Sequence, residues 1–187
     1  MQGFPKLRVQ NSVVYIAPVL LLLLPLRWLL AAALAATVHE LWHLGAVYLL
    51  GGRVLSMRIG PSGAVMETEP LSPLRELAAA LAGPLGSLSL LLFARWLPCT
   101  ALCGFVHAVY NLLPLFPLDG GRALRCLLLC VLPPERAELA GRVVEGVAAI
   151  AIPVFLVLLR LPVLLAVAVF APIFLRFAEK YLAKKPN

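Results

Sequence analysis

The sequence predicts an all-α polytopic membrane protein of about six transmembrane helices, with a small β-hairpin on the cytosolic side. Three observations predict it. Of the 187 residues, 62% are hydrophobic and 13% are charged, against about 45–50% and about 25% in soluble domains. A chain this short keeps much of its surface in solvent, so the excess cannot be hidden inside a soluble globule. The apolar residues also fall in runs near the roughly 20 residues that span a hydrocarbon core, and the basic residues collect between alternate runs. Composition alone excludes a soluble enzyme and a disordered chain.

The first run covers about 11–26 and is interrupted by Pro18 and Pro25. Lys6 and Arg8 before it, and the small residues Ala31–Ala36 after it, imitate a secretory signal. The apolar character continues to Leu50, however, so a retained membrane helix is expected. The second run covers about 28–51 and ends at Gly51-Gly52. The third covers about 73–97 and is closed by Pro98. The fourth starts near Cys99 and enters a broken region at Asn111–Gly121. The fifth and sixth cover about 137–160 and 162–178.

With this count, Arg27, Arg95 and Arg160 stand on one side of the membrane and all other Lys and Arg on the opposite side. The positive-inside rule then puts both termini in the cytosol. The net charge of +7 is thereby a topology signal. No basic cluster is interleaved with exposed aromatics, so nucleic acid is not expected as a partner.

Between the second and third runs, Val54–Ile59 and Ala64–Glu69 partly alternate around the turn residues Gly60-Pro61-Ser62-Gly63. That reads as a hairpin. No separate soluble domain has room to exist, and residues 1–187 are expected to form a single membrane domain. Cys99, Cys103, Cys126 and Cys130 form two pairs at i,i+4, which suits helix packing better than zinc-knuckle or disulfide spacing.

The chemistry starts at His39-Glu40-Leu41-Trp42-His43. On a helix, positions i and i+4 share a face, so both imidazoles point the same way. Two imidazoles on one face make half of a tetrahedral zinc site. Glu40, next to the first, is placed to act as general base on a metal-activated water. Ionisable groups at membrane depth are costly and usually mark a function. His43 lies eight residues before Gly51, about 12 Å along the helix from its cytosolic end. Water must therefore be admitted by protein.

A catalytic zinc needs a third protein ligand and an open position. His107, Asp119, Glu145 and the cysteines are the candidates. Asp119 follows Asn111-Leu-Leu-Pro114-Leu-Phe-Pro117-Leu118 and precedes Gly120-Gly121. Such a stretch breaks a helix, and irregular backbone at this depth is tolerated where it lines a buried or watery cavity. Taken alone, Asp119 is also a good N-cap for a helix over 120–131. His107, one turn before Asn111, is read either as a group near the site or as an internal hydrogen-bonding residue.

His39–His43 followed by Asn111–Gly121 resembles the site-2 protease family of intramembrane zinc metalloproteases. Gly83-Pro84-Leu85-Gly86-Ser87 is similar to the small-residue motif carried between the two, and Gly83 and Gly86 are expected to let helices approach closely. The resemblance covers about residues 28–131, the family's three-helix catalytic core. It implies that His39, His43 and Asp119 bind Zn2+, that Glu40 activates water, and that Asn111 binds substrate or steadies the oxyanion. Within the family, the short form resembles the stage IV sporulation protein FB group, which cleaves a membrane-associated sigma-factor precursor. Trp42 departs from the pattern by replacing a small residue.

The function expected is therefore hydrolysis of a peptide bond in or near a transmembrane segment of a membrane-associated protein, in a bacterial cell membrane. The lipid bilayer is the surrounding partner. A membrane regulator or homo-oligomer is left open. The alternative is a metal-ion or proton transporter using the intramembrane His, Asp and Glu. A glutamate set beside the first histidine favours catalysis.

Overall fold

The computed structural model describes residues 6–9, 24–60 and 63–158, without the side chains of 6–9, 58–60, 63–65 and 157. The described chain is mostly helical. Its elements are β1 (Lys6–Val9), α1 (Leu26–Leu49), β2 (Val54–Gly60), β3 (Gly63–Thr68), α2 (Pro73–Ser89) with a 3-10 turn at Leu90–Phe93, α3 (Pro98–Asn111), α4 (Asp119–Val131) and α5 (Pro134–Leu158).

Proline sets several of these starts. Pro25 precedes α1, and α2 and α3 each carry proline at the first helical position. There its missing N–H costs nothing and its fixed φ suits the helix. Among the described residues, three helices are long and apolar enough to cross a membrane: Leu26–Leu49, Pro73–Phe93 and Pro134–Leu156. At 1.5 Å per residue the first is about 36 Å long, against a hydrocarbon core of about 30 Å. These correspond to the second, third and fifth predicted spans. The fourth resolves into α3, only 14 residues long, then an irregular stretch, then α4. The first predicted span, save its last residues, and the sixth lie outside the described residues.

Leu30, Leu34, Leu41, Val147, Ile150 and Phe155 are among many large apolar side chains that stay exposed on the helices. In water such a surface would drive association. In lipid it is the expected exterior.

Helix α2 is the centre of the bundle and packs against α1, α3 and α4, while α5 packs chiefly on α4 among the described residues. The buried residues of α2 follow from this central place: they are Ala79, Ala80, Ala82, Gly83, Pro84, Gly86 and Ser87, a face with almost no side-chain bulk. Lipid supplies no hydrophobic drive between helices, so close backbone approach has to hold them. The neighbours use the same device. A Cβ on Gly104 of α3 would stand 2.7 Å from the Ser87 carbonyl oxygen.

The hairpin is present, and it is the core of a larger sheet. β2 pairs antiparallel with β3, Met57 facing Met66, with a register irregularity between Val54 and Ser56. β1 pairs parallel with β2, Leu7 facing Met57, so the order is β1-β2-β3. The parallel third strand was not expected from sequence. The sheet follows the α1 C-terminus through Gly51, whose φ of +78° is a left-handed turn that only glycine adopts freely. Val54 and Met66 pack there on Val47, Leu44, Leu50 and Ala79. The N-terminal strand thus lies at the same end of the bundle as the hairpin.

The segment 112–118 brings the chain back to the bundle. Its turns are closed by Leu113 N–H to the Tyr110 carbonyl and Leu118 N–H to the Leu115 carbonyl, and Leu115 and Leu118 are buried. Gly121 at the start of α4 presses on this backbone: a Cβ there would stand 2.5–2.7 Å from Leu115 and Phe116 main-chain atoms, and one on Gly120 would collide with the Leu112 carbonyl. Main chain cannot yield as a side chain can. Gly120→Ala should therefore destabilise the protein by about 1–3 kcal/mol, the usual cost of overpacking, seen as a lower melting temperature in detergent. An unchanged melting temperature would mean that the 112–118 backbone moves freely.

Candidate metal centre

The i,i+4 spacing in α1 does what helical geometry dictates. His39 and His43 point from one face toward α2 and α4. The His39 Nε2 and His43 Nε2 stand 3.1 Å apart. Asp119 Oδ2 stands 3.0 Å from the first and 3.1 Å from the second. All three residues are buried, at 2%, 6% and 8% exposure. Among the described residues, no other cluster of three or more His, Cys, Asp or Glu side chains has this convergence.

The far side of each ring fixes its aim. His43 Nδ1 is 2.7 Å from the Ala79 carbonyl oxygen. A carbonyl only accepts, so Nδ1 carries the proton and donates it. The lone pair of a neutral His43 then sits on Nε2 and faces the other two donors. His39 Nδ1 is 2.9 Å from Ser87 Oγ, and a hydroxyl can accept in the same way. Three lone-pair-bearing atoms thus converge on one point. In tetrahedral zinc, bonds of about 2.0–2.1 Å set ligand atoms roughly 3.3 Å apart, close to the spacing found. Two imidazoles and a carboxylate are a common donor set for catalytic zinc, and second nitrogens anchored to a carbonyl or hydroxyl are its usual outer support. The residues fit the ion.

Glycine makes the approach possible. A Cβ on Gly83 would collide with the His43 imidazole, and one on Gly86 with the Trp42 indole. Trp42, which departs from the motif, packs over Gly86 while remaining partly exposed at 46%. Thus Gly83 and Gly86 let the helices close, as the small-residue motif suggested.

The remaining sequence candidates are distributed as follows. Asp119 is the first residue of α4. Leu118 occupies the N-cap position without a side-chain bond, so Asp119 serves the cluster rather than the helix end. Glu40 is half-buried on α1 beside His39 and interacts electrostatically with His43. Asn111 does not join the three. Its amide donates to the His107 carbonyl at 3.0 Å, a bond within its own helix end. His107 stacks edge-on against His39, with ring centroids 4.5 Å apart, so all three histidines of the chain gather at one point. The four cysteines are free and lie outside the cluster. Sequence reasoning missed Ser87 and the Ala79 carbonyl as supports. The signal for Ser87 was its place four residues after Gly83, on the same helical face.

Removing one support should loosen the ion without unfolding the helix pair. Ser87→Ala is expected to weaken zinc affinity about 10–100-fold, measured by competition with a chromophoric chelator. Wild-type affinity would show that Ser87 does not aim His39.

No family model matches the chain. It is 31% identical over 148 residues to Stage IV sporulation protein FB of Bacillus subtilis (strain 168), covering 71% of this chain and 51% of that protein. The chain therefore spans about half the length of the curated relative it matches. In structure it is similar to the Site-2 Protease from Methanocaldococcus jannaschii, with a TM-score of 0.66 and 18% identity, over 100% of this chain and 95% of the other.

Proposed function

We propose that this chain, which sequence and fold support as a member of the site-2 protease family, is an intramembrane zinc metalloprotease. The reaction is hydrolysis of a peptide bond in or near a transmembrane segment of a membrane-associated protein. The observation that carries the reading is the meeting of His39 Nε2, His43 Nε2 and Asp119 Oδ2 within 3.0–3.1 Å, with a glutamate on the adjoining helical position.

His39, His43 and Asp119 would hold the zinc, which when bound polarises the scissile carbonyl and acidifies the attacking water. Glu40 takes the proton of that water and passes it to the leaving amine nitrogen. The Asn111 amide keeps a second N–H beside the one given to His107, and this donor meets the substrate carbonyl oxygen. The buried ligands and the apolar bundle around them limit solvent, which strengthens every charge interaction at the site.

A helical substrate hides its carbonyls in i→i−4 bonds and must unwind first. The β2–β3 hairpin offers a template by strand addition. Because β1 covers one side of β2, the outer edge of β3 is, among the described residues, the side of the hairpin left to receive it. The protein is proposed to be a single multi-pass domain in a bacterial cell membrane, with both termini cytosolic. The position of β1 at the hairpin end of the bundle supports this for the N-terminus. Similarity to a sporulation protein supports a sigma-factor precursor as the substrate class.

Glu40→Gln keeps the donor set and removes the base. It should retain zinc while cleavage of a membrane substrate falls about 10²–10⁴-fold. Asp119→Ala should lose the metal as well. Normal cleavage by Glu40→Gln would contradict the mechanism, and full zinc with full activity in Asp119→Ala would return Asp119 to a purely structural role.

A further inference from the structure

The Asp119 carboxylate uses only one oxygen on the imidazoles. Its other oxygen, Oδ1, faces Arg122 Nη1 at 3.9 Å, one turn along α4. The second guanidinium nitrogen, Arg122 Nη2, faces Glu76 Oε1 at 3.8 Å, in the first turn of α2. One guanidinium therefore bridges two carboxylates on two helices. These three residues also form a gradient of burial. The side chain of Asp119 is 11% exposed, Arg122 35% and Glu76 43%. The line runs outward from the cluster to a small cavity of about 180 Å³, lined by Glu76, Phe116, Arg122, Arg125, Cys126 and Leu129.

We propose that Arg122 is a positioning residue for the metal centre: its cation, anchored by Glu76, holds Asp119 Oδ1 away from the imidazoles so that Oδ2 alone is presented to the ion. This rests on the metal-site reading above. A carboxylate free to rotate could offer both oxygens and fill the position that water must occupy. A fixed cation on the outer oxygen removes that freedom. It also offsets part of the negative charge that Asp119 and Glu40 bring into a low-dielectric site. Arginine suits the task because its two terminal nitrogens lie in one rigid plane and reach both partners at once, whereas lysine presents a single point charge.

The rival account is that Arg122 and Glu76 merely tie α2 to α4. The two accounts differ in what happens at the metal. The test is titration of the purified full chain with Co(II) in detergent, following affinity and the d–d absorption bands, for wild type, His39→Ala, Arg122→Met, Arg122→Lys and Glu76→Gln. Arg122→Met should weaken Co(II) binding about 10–100-fold, as loss of an outer-shell partner does, and should change the band pattern through altered carboxylate coordination. Arg122→Lys should fall between Arg122→Met and wild type. Glu76→Gln should move affinity in the same direction by less. Wild-type affinity and bands in Arg122→Met would overturn the proposal. Should that variant fail to fold, wild-type affinity and bands in Arg122→Lys would overturn it equally. If His39→Ala binds Co(II) as wild type does, it is the metal-site reading itself that fails.

Discussion

The structure depends on the hydrogen bond from His43 Nδ1 to the Ala79 carbonyl, 2.7 Å long and buried. It fixes the tautomer of one imidazole, and so turns a ring that could face either way into a ligand with its lone pair on the inner side. The bond joins α1 to α2, and it forms only because α2 offers backbone rather than side chains at that point. Ala79, Ala80, Ala82, Gly83 and Gly86 are small and buried, and an added methyl on Gly83 would collide with the very ring being aimed. Helix packing and ligand orientation are therefore one requirement. In a membrane, where apolar burial gives helices little reason to associate, this economy of bulk also holds the bundle together.

The second ligand-bearing element solves a different problem. Asp119 must reach the two imidazoles from outside α1, at a depth where unpaired backbone costs several kcal/mol per group. The chain does this with the 112–118 stretch, whose N–H groups at Leu112, Leu113, Leu115 and Leu118 all find carbonyls nearby. It is covered by protein: Gly120 and Gly121 press on its main chain. Asp119 begins α4 directly after it, so the carboxylate direction is set by where that helix starts. Arg122, on the next turn, then meets the outer oxygen.

Much of the candidate site could be read from the sequence because its geometry is local or periodic. His39 and His43 share a face by helical spacing alone. The prolines and glycines around Asp119 announced a broken helix, and Gly83 and Gly86 announced close packing. What escaped was non-local. The β1 strand is four residues long and pairs parallel with a strand some fifty residues away, a contact with no periodic trace. The Asn111 amide turns back to His107, a choice that spacing could not distinguish from an inward one. Arg122 was read only as a topology charge, because the rule that counts cations between spans does not ask what each one touches. Ser87 was seen as a small residue, and its hydroxyl took on meaning only when His39 stood opposite it.

X-ray absorption at the zinc edge, on the protein purified into lipid nanodiscs, reads the ligand set of His39, His43 and Asp119 without recourse to activity. One zinc per chain is expected, with scattering from two imidazole rings and light oxygen donors and no sulfur in the coordination shell. A chain that carries no stoichiometric metal, or a shell containing sulfur from Cys99, Cys103, Cys126 or Cys130, would contradict that ligand set.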